Sequence, residues 1–291
     1  MLATQEDFNQ AMQRILANRK TMPLRHSELG GERVVGRMEI AYKCEKCKDT
    51  GYIFRKGENG YDYASRCACL KSRIMENKLR FANIPKEFDG YTVESFDLGL
   101  YATPDGKEKA EMAKMLCANY IKAFPRISED GKGLYMYSRT KGSGKTRMAA
   151  SIANDIISRY RISAKFATTL QILDEIKKTW HEQTGADSGE QKFLADIIRV
   201  PVLVIDDIGV ERPTEWVNEK FYSILNGRMA QRQVTIFTSN CEMEKLLFDD
   251  RIINRIMKMA LPVPFPDESV RAALAKAENK ELYNRLLGGC R

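Results

Sequence analysis

Residues 134–160 read LYMYSRTKGSGKTRMAASIANDIISRY: an apolar run fit for a buried strand, a glycine-bearing loop, and a stretch with helical spacing. In KGSGKT, Gly142 and Gly144 let backbone N–H groups turn inward toward an anion, and a helix starting near Lys145 adds its positive end. Lys145 is placed to reach the β- and γ-phosphates of a nucleotide, and the Thr146 hydroxyl to hold Mg²⁺. Gly142, Ser143, Gly144, Lys145, Thr146 and Arg147 are thus the candidate nucleotide-binding residues of the loop. A full Walker A pattern has a further glycine where this chain has Arg139. The alternative is an ordinary glycine-rich turn carrying a basic residue, which would not need the strand before it and the helix after it.

A chain of 291 residues, 43% hydrophobic and 30% charged, has room for one large core and a smaller module. We expect two domains, at 1–85 and 86–291. No apolar run approaches the ~20 residues that cross a bilayer, and MLATQEDF lacks the charged-then-apolar order of a signal peptide. The expected location is the cytoplasm, where seven cysteines point to metal ligands or buried thiols before disulfides. The net charge of +8 is unevenly spread: residues 1–85 hold 16 Lys and Arg against 10 Asp and Glu. That excess suits an acidic partner, nucleic acid first, or simply a well-solvated surface.

Thr4 and Asp7 resemble a capping box, and Phe8, Met12, Ile15 and Leu16 share one helical face. Such a helix, followed by the breaker-rich TMPLRHSELGGERVVG, either docks in a partner's groove or packs on its own body. Cys44 and Cys47 (CEKC) are separated by 19 residues from Cys67 and Cys69 (CAC). Two close pairs of thiolates joined by a hairpin suit a structural, four-coordinate zinc site; free thiols or a redox pair are the alternatives. Residues 70–84 read as a basic linker helix with Leu70, Ile74 and Leu79 inward. Thr103-Pro104 opens a helix with Met112, Leu116, Tyr120, Ile121 and Phe124 on one face. Beyond the phosphate loop, AKFATTL, VPVLVIDD, VTIFTSN and LPVPF are apolar strands separated by helices, with a polar segment HEQTGADSGEQ at 181–191. That alternation means a parallel sheet covered on both faces, with ligands at the carboxyl ends of its strands.

VLVIDD carries two carboxylates out of an apolar strand. Asp206 is the candidate Mg²⁺ ligand and Asp207 the group that polarises an attacking water; a helix-capping aspartate is the plainer reading. Asn240 ends the next strand, able to bond both a γ-phosphate and a lytic water, although TSN alone is merely a turn. His26 and His181 have no partner pattern.

Strand and phosphate loop, strand and DD, strand and TSN, in this order, resemble the AAA+ ATPases of the DnaC/DnaI helicase-loader group. PVLVIDDIGVE and FTSN carry the likeness, which covers most of residues 130–260. The four-cysteine module also resembles those of loader-like proteins. The resemblance implies an α/β core of five parallel strands in the order 5-1-4-3-2, ATP with Mg²⁺, and oligomers formed through the ATP site. It also implies single-stranded DNA and a DnaB-type replicative helicase as partners. In DDRIINRI it puts Arg255 at the arginine-finger position, with Arg251 one turn earlier; the alternative is two solvated arginines beside Asp249 and Asp250. Arg271 resembles a sensor-2 arginine. Asp207 stands where most AAA+ proteins carry Glu, a departure shared by the loader group. The transposition helper ATPases of the IstB type share this core and form the second expectation. A non-hydrolysing nucleotide-gated adaptor is the third, kept open by Arg139 and Asp207.

Overall fold

Hydrogen-bonding needs and side-chain alternation account for the architecture of the computed structural model, which describes residues 42–56, 62–178, 189–209 and 213–288. The expected N-terminal helix, both histidines and most of the polar 181–191 segment lie outside the described residues. The first described elements are β1 (Tyr52–Lys56) and β2 (Asp62–Arg66), an antiparallel pair with Phe54 opposite Ala64. Helix α1 (Cys69–Ala82) follows. The chain separates into two compact units, Met1–Glu76 and Asn77–Arg291, so the division falls inside α1, the helix expected to link them.

In the second unit, α2 (Pro104–Ile127) is opened by Thr103, whose hydroxyl accepts the Gly106 N–H, with Pro104 at the first helical position. Strands and helices then alternate as expected: β3 (Gly133–Tyr137), α3 (Lys145–Tyr160), β4 (Ala164–Thr168), α4 (Thr169–Lys178), α5 (Gly189–Arg199), β5 (Val202–Ile208), α6 (Glu215–Ala230), β6 (Val234–Ser239), α7 (Asp250–Met259), β7 (Ala260–Pro264) and α8 (Val270–Gly288). The five strands β3 to β7 are all parallel and lie in the order β7-β3-β6-β5-β4. These labels differ from the expected 5-1-4-3-2 because two hairpin strands precede the core; counted from β3 alone, the order is 5-1-4-3-2.

Successive residues of a strand face opposite sides. Tyr135, Leu203, Ile205 and Phe237 enter one core with Ile172, Ile176, Phe221, Ile224 and Ile256 from α4, α6 and α7. The alternate set Leu134, Met136, Val202, Val204 and Ile236 is equally buried, on the face covered by α3. Among the described residues no helix is long and apolar enough to cross a membrane.

Three readings need correction. In α2 the buried face is Ala110, Ala113, Cys117, Tyr120, Ile121 and Phe124, while Met112 is 47% exposed and Leu116 only half-buried. Small residues permit the closest helix approach, so following the large ones rotated the expected face. In α1, Ile74 points outward at 45% exposure. Helix α5 begins inside the segment read as a polar loop, where Phe193, Leu194 and Ile197 supply the apolar positions that pack on the core.

One buried charge ties this region together. Arg228 of α6 is fully buried, and its guanidinium donates to the carbonyls of Ile197 (2.6 Å), Val200 (2.9 Å) and Val234 (2.6 Å) and to Thr235 Oγ1 (2.9 Å). Burial pulls its pKa down to about 9, which leaves it charged at neutral pH. The carbonyls at the C-terminal end of α5 offset that charge. Arg228→Ala leaves these acceptors short of donors beside a cavity, so it is expected to cost about 3 kcal/mol or more of stability in denaturant unfolding. A loss under about 1 kcal/mol would mean that water replaces the guanidinium without penalty.

Candidate functional site

The carboxyl ends of β3, β5 and β6 open on a cleft of about 410 Å³ lined by Lys145, Thr146, Asp207, Asn240 and Arg271. Its floor is the loop between β3 and α3. Gly142 (φ 79°) and Gly144 (φ 95°) both adopt the left-handed conformation that glycine reaches without strain. A Cβ at Gly142 would also sit 2.9 Å from Arg271 Cβ and Ser269 Oγ, and one at Gly144 2.9 Å from the Tyr101 hydroxyl. The position of the missing Walker A glycine differs. Arg139 is not among the positive-φ residues, its N–H donates to Asp267 Oδ1 (3.0 Å), and its exposed guanidinium pairs with Glu242 (3.1 Å). Nothing in that backbone requires glycine.

The loop is braced from outside. The Tyr101 hydroxyl donates to the Ser143 carbonyl (2.9 Å), and the Arg271 N–H donates to the Gly142 carbonyl (3.2 Å). Glu268 accepts from the N–H groups of Ala102 (2.7 Å) and Thr103 (3.3 Å), joining the segment before α2 to the one before α8. Lys145 is only 5% exposed, with Nζ donating to the Thr140 carbonyl (3.1 Å) and Ser143 Oγ (3.2 Å). Burial lowers its pKa, and Asp207 and Asp206 act in the opposite direction. An ammonium that has shed most of its water at the first residue of a helix suits a polyphosphate.

Arg147 also lines the cleft, but its guanidinium is turned to its own neighbours, with Nε buried and without a hydrogen-bond partner. It donates to the Ser95 carbonyl (2.5 Å) and lies over the rings of Tyr91 (4.9 Å) and Phe96 (5.4 Å). Arg271, at the start of α8, is exposed on the cleft wall. Leu274 and Ala275 of α8, together with Phe88, add apolar lining to the same cleft.

Asp206 and Asp207 end β5 at an irregularity: Ile205 pairs with Phe237 and Ile208 with Ser239, so three steps on β5 match two on β6. Asp207 takes φ 55° there. Asp206 is 4% exposed and its carboxylate accepts from Thr238 Oγ1 (2.5 Å). Burial pushes its pKa up to about 6 despite that bond, and the neighbouring Asp207 charge adds to the rise, while Thr146 and Lys145 oppose it. A carboxylate so disfavoured as an anion gains from a cation beside it. With Thr146 close by, this donor set fits Mg²⁺ in oxygen chemistry and in charge.

The arginine-finger candidates lie elsewhere. Arg255 is bound to its own neighbours: Nη2 donates to the Tyr222 hydroxyl (2.7 Å) and Asn226 Oδ1 (3.0 Å), and its Cζ lies over the Tyr222 ring, 4.1 Å from the centroid. Arg251 is exposed and paired with Asp249 (2.8 Å). Neither lines the chain's own cleft.

In the first unit Cys44, Cys47, Cys67 and Cys69 place all four sulfurs within 4.8 Å of one another. Cys44 and Cys67 are 3.8 Å apart and Cys47 and Cys69 3.3 Å, against the ~3.8 Å edge of a tetrahedron of thiolates around zinc. The Gly51 N–H points at Cys47 Sγ (3.4 Å). Hydrogen bonding to Cys47 pushes the Cys69 thiol up to about 12, while a backbone hydrogen bond from Cys47 pulls the Cys44 thiol down to about 7, so without a cation the four thiols do not ionise together. The C-x-C spacing works because Cys69 is already the first residue of α1.

Sequence reasoning missed Thr238, Tyr101 and Glu268. The available signal was polarity in the wrong place: Thr235, Thr238 and Ser239 are buried polar residues in a strand at the centre of a sheet.

The profile of the family described as IstB-like ATP binding protein matches residues 65–276. The replicative helicase loader DnaI of Bacillus subtilis (strain 168) is 30% identical over 168 residues, which is 53% of this chain and 51% of that protein, so the match spans about half its length. The crystal structure of DnaI superposes with a TM-score of 0.51 at 28% identity, over 62% of this chain and 94% of the other. The crystal structure of the DnaC helicase loader gives 0.52 over 62% and 99% at 22% identity, a likeness of fold.

Proposed function

Because the chain belongs to the IstB-like ATP binding protein family, and is homologous within it to the DnaC/DnaI helicase loaders, we propose that it is an AAA+ ATPase that loads a replicative helicase of DnaB type onto single-stranded DNA. The observation that carries the reading is the convergence of Lys145, Thr146, Asp207 and Asn240 on one cleft, with Asp206 buried behind them. In this reading residues 86–291 form the motor. Residues 1–85, with their excess of basic residues and a zinc site of Cys44, Cys47, Cys67 and Cys69, form the part that holds the partner. Copies of the chain assemble through the ATP site.

Backbone N–H groups of Gly142, Ser143 and Gly144 bind the phosphates, Lys145 neutralises the β- and γ-oxygens, and Arg271 approaches from α8. Thr146 and Asp206 hold Mg²⁺, which supplies charge neutralisation at the phosphates. Asp207 and Asn240 orient and polarise the attacking water. Arg255 serves a neighbouring subunit. Its guanidinium is already shaped by Tyr222 and Asn226, so little rotamer freedom is lost when it meets a phosphate.

Arg255→Ala is expected to leave ATP affinity within about threefold and to lower turnover about 10³-fold. Mixing it with Lys145→Ala tests the assignment further: the mixture regains activity if the Lys145→Ala subunit lends its Arg255 to the intact loop of an Arg255→Ala neighbour. Unchanged turnover in Arg255→Ala would show that another group fills this role. The partner is identified by co-purification and loading of a helicase onto single-stranded DNA. Recovery of a transposase instead would support the IstB-type transposition helper. ATP binding without sustained phosphate release would support the nucleotide-gated adaptor.

A further inference from the structure

In a regular strand Asp206 and Asp207 would point to opposite faces of the sheet, and only one could serve the cleft. The irregularity at the end of β5 removes that conflict. Between the pairs Ile205–Phe237 and Ile208–Ser239, two residues of β5 face one residue of β6, and that one residue is Thr238. Such a bulge re-aims side chains at the cost of leaving backbone groups unpaired. It also places Asp207, which is not glycine, at φ 55°, a conformation that persists only where its surroundings enforce it.

Thr238 supplies the enforcement through one oxygen. Its Oγ1 accepts the Asp207 N–H (2.9 Å), the donor that the bulge would otherwise orphan, and donates to Asp206 Oδ1 (2.5 Å). The side chain is fully buried, so no water stands ready to replace either bond. A hydroxyl has one proton and can accept while donating, which lets a single group fix the backbone of one carboxylate and the head of the other. The other hydroxyls at the bulge do less. Thr169 Oγ1 meets the carbonyls of Asp206 and Asp207 (3.3 Å each), and Ser239 Oγ donates to the Ile208 carbonyl (2.7 Å); Thr146 bonds the Asp206 carboxylate from the phosphate-loop side and holds no backbone group of the bulge.

We infer that Thr238 is a positioning residue, which locks the β5 bulge so that the two aspartates both line the recess beside Thr146 and Arg271 and Asp206 presents its free oxygen to the metal. This rests on the reading of the cleft as a nucleotide and metal site, and it gives that site a requirement specific to this chain's TSN segment. The requirement is for a hydroxyl, since valine matches threonine in shape and cannot make either bond.

The test compares Thr238→Val, Thr238→Ala and Thr238→Ser in the full chain, by two readouts. The first is the affinity of Mn²⁺ for the protein–ATP complex, followed by the paramagnetic resonance of the free ion. The second is the split between KM and kcat for ATP. Valine and alanine are expected to weaken Mn²⁺ binding about 10-fold or more and to lower kcat about 10–100-fold, with KM changed far less, the usual effect of losing a group that orients a metal ligand. Serine is expected to recover both to within about threefold, and alanine serves if valine folds poorly. Wild-type Mn²⁺ affinity in either apolar variant would overturn the inference. So would a serine variant as weak as valine, which would make the role one of packing. Wild-type protein that releases no phosphate while the Mn²⁺ pattern holds would overturn hydrolysis and leave the role of Thr238 intact.

Discussion

Lys145→Ala is expected to cut ATP affinity about 10²–10³-fold and to bring phosphate release down to the buffer rate. The size of the effect follows from where the ammonium sits. At 5% exposure it has lost most of its water, and its donors are held by the Thr140 carbonyl and Ser143 Oγ, a few ångströms from where phosphates would lie. Its charge is also felt by Asp206 and Asp207. Alanine would remove the nearest cation and leave two carboxylates facing an incoming polyanion, so the loss combines missing attraction with unopposed repulsion. The fold should survive, because the loop stays braced by Tyr101 and Arg271. Isothermal titration with an ATP analogue measures the affinity, and a thermal melt within a few degrees of wild type confirms that folding is unaffected. Wild-type affinity in this variant would remove the phosphate-loop reading.

The second large effect is expected from the cysteine cluster. Cys47→Ser or Cys67→Ser should take bound zinc from about one ion per chain to none and unfold the β1–β2 hairpin. The hairpin has only five residues in each strand, and an isolated pair of that size is marginal in water. Zinc binding by thiolates is worth about 10–16 kcal/mol in comparable small modules, far more than the hairpin's own contacts provide. Elemental analysis gives the stoichiometry. Hydrogen exchange gives the structural effect: amides at 44–56 and 62–69 should exchange rapidly in the variants and after chelation, while those of β3, β5 and β6 keep their protection. Protein purified without zinc, with the hairpin amides still protected, would contradict a metal-dependent module.

Most of this architecture was legible because its strands are short apolar runs and its motifs sit at their ends. The phosphate loop, the paired aspartates and Asn240 could be placed on β3, β5 and β6 from order alone, and the four cysteines from spacing. What escaped was of two kinds. Packing by small residues gives no hydrophobic signal, so the expected face of α2 holds Met112 and Leu116 beside the buried Tyr120, Ile121 and Phe124, where the structure buries Ala113 and Cys117 instead. Helix α5 was hidden by the polar residues that lead into it. The functional loss was different in nature. Thr238 matters because a bulge on another strand leaves an N–H for it to satisfy, a relation that exists only between β5 and β6. The buried Arg228 is similar, since its partners lie on α5 and β6 and no residue next to it in sequence announces them.

Arg139 shows the reverse case, in which a departure from a motif loses its force. The backbone there is not left-handed and its N–H is bonded to Asp267, so an arginine fits where the motif has glycine.

The central claim is that the chain hydrolyses ATP in a site completed by a second copy. ATP hydrolysis measured against protein concentration, with and without single-stranded DNA and with Lys145→Ala as the blank, tests it most directly. The account predicts a specific activity that rises with concentration and responds to DNA. Activity at the blank level across the whole range, in protein that binds ATP, would contradict it.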